Sequence, residues 1–345
     1  MLESNTSPND NIAPWLLKEW TASWGEDKLA AVVNAAMEES PIYLSVNYPL
    51  GASDQDKLER LKFVRDAFYD SMQEKGDEDS KSEGNDVPVE ILPHGSIHVD
   101  KSCFPGAISK WPLYKKGDWF VQDASATLPA IALYNTLVRN SDNPQDLDIV
   151  DLCAAPGGKT GQLLSLGFPS VTAVETSAKR AKQLKSNLSR LGLEERCTVV
   201  EADGRTWIPP TGPNSISGIL LDAPCSATGT ASRRPDVLRR PQSLKSLMET
   251  QFSLTTHCID NLLKPGGVLV YATCSLLKQE SEDQVQKILG RENGAEVKLL
   301  PFVEGEIPGF DDAIDELGCL RVIPGCLPGK LSTCDGFFVA RFQKA

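Results

Sequence analysis

Two cysteines of this 345-residue chain sit in matching surroundings. Asp222-Ala-Pro-Cys225-Ser226 and Tyr271-Ala-Thr-Cys274-Ser275 each place a thiol just past an apolar run that reads as a strand. A lone cysteine is by default an inert, small, buried side chain. Two of them at neighbouring strand ends, with Asp222 beside one, read instead as reactive thiols facing a single cleft. The nine cysteines are odd in number and scattered, with no Cys-x-x-Cys pair, so neither a disulfide framework nor a zinc knuckle is expected.

Those thiols need a cofactor or substrate, and the stretch Leu147 to Thr160, Leu-Asp-Ile-Val-Asp-Leu-Cys-Ala-Ala-Pro-Gly-Gly-Lys-Thr, supplies the place for one. An apolar strand runs into Asp151 and then into small residues and the pair Gly157-Gly158. The glycines let the backbone approach a ligand, and the following helix aims its free N–H groups at it. A phosphate-binding P-loop needs glycine where Cys153 stands, and no Gly-x-Gly-x-x-Gly is present. What remains is a glycine-rich loop followed by Glu175, the acid ending the next apolar run, which suits a ribose diol. Asp203, ending the run after that, suits an adenine amine, so a nucleoside cofactor is implied without a phosphate cradle.

The elements that must position these residues alternate. Strands are expected at 147–152, 171–175, 197–202, 218–222 and 267–273, with helices at 128–138, from Gly161, at 178–191 and at 243–263. That alternation predicts a parallel sheet covered on both faces. Three late pieces, 296–300, 319–323 and 336–342, suggest an antiparallel edge. Before residue 113 the pattern is a small α+β region: helices near 12–24, 28–37 and 54–72, a strand at 41–48 and short strands between 87 and 99. Residues 1–11 read as a disordered tail and 73–86 as an acidic loop.

Four motifs carry a family resemblance: Asp151-Leu-Cys-Ala-Ala-Pro-Gly-Gly-Lys-Thr160; Asp222-Ala-Pro-Cys-Ser226 with Gly229 and Arg234-Pro-Asp236; Ala272-Thr-Cys-Ser275; and Asp335-Gly-Phe-Phe338. Together they resemble the RNA cytosine-5 methyltransferases of the Nol1/Nop2/Sun group. Pro14-Trp-Leu-Leu-Lys18 and Val121-Gln-Asp-Ala-Ser-Ala126 are similar to its bacterial RsmB-like branch, and the likeness covers nearly the whole chain. It implies a Rossmann-like class I methyltransferase at 113–345 behind an α+β RNA-binding subdomain at 12–112. It implies S-adenosylmethionine as cofactor, held by Cys153, Ala154, Ala155, Pro156, Gly157, Gly158, Lys159, Glu175, Asp203 and Asp222. By the same resemblance Cys274 is the nucleophile, Cys225 serves product release, Asp222 contacts the base and Lys159 adds positive charge. The implied substrate is RNA, most naturally small-subunit ribosomal RNA. RsmB-type enzymes usually carry a NusB-like domain that this chain would begin after. It also departs from the family at Ser45, often arginine, and at Lys278-Gln-Glu280, often Pro-Glu-Glu; both bear on RNA affinity and target choice.

Charge and composition bound the rest. The formal charge is −12, but between Asp70 and Glu90 eight acids face only Lys75 and Lys81, so half of the excess lies in one solvated stretch. Basic residues gather at 110–116, 179–185 and 233–240, the last group just after the Cys225 loop. No apolar run is long enough for a membrane span and the N-terminus is unlike a signal peptide, so the cytosol is the expected compartment, with an organelle or the nucleolus the alternative in a eukaryote. RNA as partner is what the resemblance implies; the sequence leaves the oligomeric state open, with a monomer the default. A methyltransferase acting on protein or a small molecule, and a non-catalytic RNA-binding assembly factor, are the alternatives from other classes.

Overall fold

The computed structural model describes residues 8–73, 87–138, 143–241 and 243–345. Residues 1–7 of the expected tail and nearly all of the expected acidic loop therefore lie outside the described residues. Pro8–Asn11, placed in that tail by the sequence reading, form a 3-10 turn instead, with Asn11 and Ile12 buried. Helix α1 (Pro14–Met37) follows, with proline in its first turn where no N–H is missed. The two helices expected here share one element, interrupted at Gly25, whose φ of 71° and ψ of 175° break the helical path.

Next come β1 (Ile42–Val46), α2 (Asp54–Gln73), β2 (Val89–Ile91), β3 (Ile97–Val99) and β4 (Trp119–Val121). Ser53 and Asp56 exchange bonds to each other's backbone N–H and so cap α2. The four strands form an antiparallel sheet in the order β2-β3-β1-β4. Leu61, Val64 and Phe68 of α2 pack on it with Phe104, Trp111 and Trp119. This sheet takes its fourth strand from beyond the expected boundary at residue 112, because Leu44 to Val46 pair with Trp119 to Val121. Pairing between distant strands leaves no local mark in a sequence.

The second sheet is built from β5 (Ile149–Leu152), β6 (Val171–Glu175), β7 (Cys197–Glu201), β8 (Ile216–Asp222), β9 (Leu263–Thr273), β10 (Val297–Leu299), β11 (Leu320–Val322) and β12 (Phe337–Lys344). Its helices are α3 (Leu128–Val138), α4 (Gly158–Leu166), α5 (Ala178–Leu191), α6 (Leu244–His257) and α7 (Glu282–Leu289). The order is β10-β12-β9-β8-β5-β6-β7, with β11 also on β12. Strands β5 to β9 are parallel, and β12 closes the sheet antiparallel to β9. Alternate residues point to opposite faces. Leu220 joins α3, α4 and α5 in one core, whereas Ile219 and Leu221 join α6 and α7 in the other.

Three further elements differ from expectation. The helix expected through 263 ends at His257 and passes through a π turn, Cys258–Leu262, into β9. That strand starts at Leu263 rather than 267, with a register shift opposite Ile216 and Gly218 that absorbs Pro265 and Gly266. Helix α7 went unread, although Glu282 and Asp283 in its first turn and Gly290 after it are ordinary signals.

Helix α1 packs away from the small sheet. Its Leu16, Trp20, Val32 and Val33 bury against Ala227, Ala231, Leu276 and Leu277, on the loops that follow β8 and β9. Among the described residues no helix is long and apolar enough to cross a membrane. Leu16→Ala is expected to lower unfolding free energy by about 2–5 kcal/mol, the cost of a cavity at a fully buried leucine. Chemical denaturation of the purified chain measures it; a change under about 0.5 kcal/mol would mean that α1 is not part of the cooperative core.

Candidate active site

Chain order reverses between β5 and β8, and in open parallel sheets a crevice opens at that point beyond the carboxyl ends of the strands. The loop after β5 enters it through Cys153, a non-glycine residue at φ 63°, and leaves through Gly157 at φ 101°, which begins α4. A Cβ on Gly157 would also come within 3.1 Å of Leu184, so both its backbone angle and its packing against α5 call for glycine. Asp151 is fully buried beneath the loop. One of its oxygens accepts from Thr160 Oγ1 at 2.6 Å, while Oδ1 has no hydrogen-bond partner. Burial raises its pKa to about 7, against the Thr160 bond and the Lys159 charge.

At the next strand ends, Glu175 is buried and accepts from the N–H groups of Ala155 at 3.3 Å and Ser177 at 3.0 Å, with Arg180 beside it. It thereby braces the loop it was expected to serve. Asp203 accepts a forked pair of bonds from Arg205, and that hydrogen bonding holds its carboxyl below the usual range.

The two thiol loops meet because β8 and β9 are adjacent and parallel, with Asp222 opposite Ala272. Cys225 Sγ lies 3.6 Å from Cys274 Sγ. Lys159 reaches across from α4 and donates to Asp222 Oδ2 at 2.7 Å. Burial works against the lysine's charge, but the Coulombic pull and hydrogen bond of Asp222 outweigh it and raise its pKa. Of the two thiols, Cys274 is held below its ordinary pKa by the Cys225 hydrogen bond, which outweighs burial; Lys159 pulls the same way. The same bond, together with burial, pushes Cys225 up. Cys274 is therefore the thiol that gives up its proton more readily, and Cys225 the one that keeps it.

One cavity of about 520 Å³ is lined by Cys153, Glu175, Asp203, Asp222, Cys225 and Cys274. Six of the expected residues, from four strand ends and two thiol loops, thus share a wall. Ala154, Ala155, Pro156, Gly157 and Gly158 form the loop beside it rather than its lining, and Lys159 joins through Asp222. Arg180, Arg205 and Arg234 also line it.

Several builders of this site were given no such role from the sequence. Glu280, read there only within Lys278-Gln-Glu280 as bearing on RNA affinity and target choice, is buried between the cysteine loops. Arg321 is buried too, donating to Ser275 O at 2.7 Å and paired with Glu282. Arg233 bridges to Asp335, whose N–H in turn bonds Asp123. Gly229 and Gly336 touch backbone to backbone: a Cβ on Gly229 would fall 2.2 Å from Gly336 O. Asp335-Gly336 was conspicuous as a motif, but nothing local ties it to Gly229 or Arg233.

A family model described as 16S rRNA methyltransferase RsmB/F matches residues 138–343. Ribosomal RNA small subunit methyltransferase F of Cronobacter sakazakii is 38% identical over 234 residues, covering 66% of this chain and 45% of that protein. Ribosomal RNA small subunit methyltransferase B of Enterobacter sp. is 32% identical over 339 residues, 96% of this chain and 66% of that protein. The chain thus spans between about half and two thirds of the length of these curated relatives. Among solved structures, a methyltransferase homolog protein from Pyrococcus horikoshii is 25% identical and superposes with a TM-score of 0.66 over 97% of this chain and all of the other. The parallel sheet closed by antiparallel β12, behind a separate antiparallel sheet, is the expected class I methyltransferase architecture. With most of its second domain matched by one family model and nearly its whole length aligned to a relative, this chain belongs to the RsmB/F family of 16S rRNA methyltransferases.

Proposed function

We propose that this chain methylates carbon 5 of a cytosine in small-subunit ribosomal RNA, using S-adenosylmethionine and a covalent bond between Cys274 and the base. The observation that carries the reading is the 3.6 Å approach of the Cys225 and Cys274 sulfurs beside the Lys159–Asp222 pair. Family membership supports ribosomal RNA as the substrate class.

The residues suit the cofactor. A cavity of about 520 Å³ falls within the range of small-molecule sites, and its acids suit a cationic nucleoside. The loop from Cys153 through Lys159, with Ala154, Ala155, Pro156, Gly157 and Gly158, would cradle it. Glu175 would take the ribose diol and Asp203 the adenine amine, with Asp222 at the methyl end. The unpartnered Oδ1 of Asp151 offers a further acceptor beside the same loop. When bound, S-adenosylmethionine supplies an electrophilic methyl group on a sulfonium.

The protein must make carbon 5 nucleophilic, since in cytosine it is not. Addition of the Cys274 thiolate to carbon 6 forms an S–C bond and moves the ring's π electrons toward carbon 5. Asp222, hydrogen-bonded to Lys159, would hold the base at N3 and its exocyclic amine and stabilise the adduct. After transfer a base takes the proton from carbon 5 as the S–C6 bond breaks and its electron pair returns to the Cys274 sulfur. Cys225, 3.6 Å from that departing sulfur, is assigned to this release. The base has to leave its stack to enter such a pocket, so the substrate is single-stranded or flipped RNA. The four-stranded N-terminal domain is assigned to holding that RNA, and the chain to the cytosol as a monomer.

Incubation with labelled S-adenosylmethionine and RNA lacking the modification should place label on carbon 5 of cytosine. Cys274→Ala should reduce transfer by roughly a thousandfold or more, the scale of a lost nucleophile; retained transfer would refute the covalent route. Cys225→Ala should accumulate a protein–RNA species that survives denaturing electrophoresis. Release as complete as in wild type would remove the role given to that thiol. Lys159→Met takes away a cation and leaves Asp222 unpaired, so both changes raise the Cys274 pKa. The pH profile of Cys274 alkylation should move upward, and an unmoved profile would separate Lys159 from thiol activation.

A further inference from the structure

The chemistry above leaves one buried carboxylate unused. Glu280 closes the 3-10 turn Lys278–Glu280 between β9 and α7 and is fully buried. A carboxylate with no water around it persists only where donors surround it. Glu280 accepts from the Ser226 N–H at 3.0 Å, from Gln251 Nε2 at 2.9 Å, from the Ser275 hydroxyl at 2.6 Å and from the Ser226 hydroxyl. Gln251 also donates to Pro224 O at 3.0 Å, which settles which end of its amide faces the acid.

The placement of these donors is the point. Ser226 directly follows Cys225, Ser275 directly follows Cys274, and Pro224 precedes Cys225. One carboxylate therefore grips both thiol-bearing loops at the residues next to the sulfurs. The Ser226 and Ser275 hydroxyls also lie 3.0 Å apart, and Gly229 N–H reaches Cys274 O at 2.9 Å, so the loops are joined on the same side. The cofactor-side acids Glu175 and Asp203 stand at the ends of other strands and do not touch this network.

We infer that Glu280 is a positioning residue: its hydrogen bonds to Ser226, Ser275 and Gln251 hold the Cys225 and Cys274 sulfurs at the separation that both steps at the base require. The inference rests on the reading of those thiols given above. Addition by one sulfur and release assisted by the other demand that both address the same ring. Loosening the clamp therefore lowers turnover without weakening the cofactor site.

Sulfur spacing can be read without any RNA. Phenylarsine oxide takes up two nearby thiols, forming two As–S bonds and releasing water as their protons leave with the oxide oxygen. The wild-type chain should bind it through Cys225 and Cys274, with Cys274→Ala as the control that removes this binding. Glu280→Gln sets an amide NH₂ among donors and should weaken arsenical binding about tenfold or more and lower kcat about a hundredfold, the cost of roughly an ångström of misplacement. Affinity for S-adenosylmethionine by calorimetry, and the thermal midpoint relative to Cys274→Ala, provide the readouts of general damage; the affinity should change less than about twofold. Where Glu280→Gln does not fold, the doubly substituted Ser226→Ala, Ser275→Ala chain should show the same loss in smaller measure. Wild-type arsenical affinity and kcat in a folded clamp variant would overturn the inference, as would a matching loss of cofactor affinity. If the arsenical results hold but the wild-type chain transfers no methyl group to RNA, the clamp stands and the proposed function fails.

Discussion

The parallel pairing of β8 with β9 is the constraint on which the rest of the site depends. With Leu221 opposite Tyr271 and Asp222 opposite Ala272, both strands end at the same level of the sheet. The loops that follow have no choice but to leave side by side, and the two sulfurs come to 3.6 Å. A register slip of one residue would turn every side chain to the other face and break the two cores that α3 to α5 and α6 to α7 form with the sheet. Apolar burial on both faces therefore holds the thiol geometry, although no apolar residue takes part in the proposed chemistry. On the far side of β9, β12 locks the strand through six paired residues and brings Gly336 against Gly229.

Charge in the crevice is arranged in opposed pairs. Asp222 faces Lys159, Asp203 faces Arg205 and Glu175 faces Arg180, each across a strand end. Lys159 is the cation closest to the thiol pair in effect, and it is the one whose burial gives its charge reach. Lys159 favours the charged form of Cys274 against Asp222, while Glu280 disfavours it on both thiols. Two chemically identical groups are made unequal chiefly by the hydrogen bond between them.

The N-terminal elements divide between two tasks. Helix α2 closes the aromatic core of the small sheet, where Phe68 meets Phe104, Trp111 and Trp119 edge-on or tilted. Helix α1 serves the other domain: Trp24 Nε1 donates to Leu276 O, and Leu16 and Trp20 fill the space under the loops after Cys225 and Cys274. The 3-10 turn before it is tied in as well, since Arg239 donates to Asn11. Asn47 of the first domain binds carbonyls of Gly117 and Leu191, joining the small sheet to the end of α5.

Local pattern alone determined much of this chain. Helix α5 has the bounds its leucine stripe and Ser177 to Gly192 caps imply, because an amphipathic period and two capping residues are short-range signals. The same holds for the strand ends at Glu175 and Asp222, where an apolar run stops at an acid. What only tertiary structure decided is which of those ends meet. Order β9-β8-β5-β6-β7 sets Lys159 of α4 on Asp222, a pairing with no signature at its spacing, whereas Asp203 and Arg205 pair locally. The roles of Glu280 and Arg321 and the Gly229–Gly336 contact were illegible for the same reason: each depends on a partner distant in sequence, Ser226 for Glu280, Ser275 for Arg321 and Gly336 for Gly229. A charged residue reads as solvated until the fold removes its water, and the difference between Glu280 and an ordinary surface acid is the packing of two loops around it.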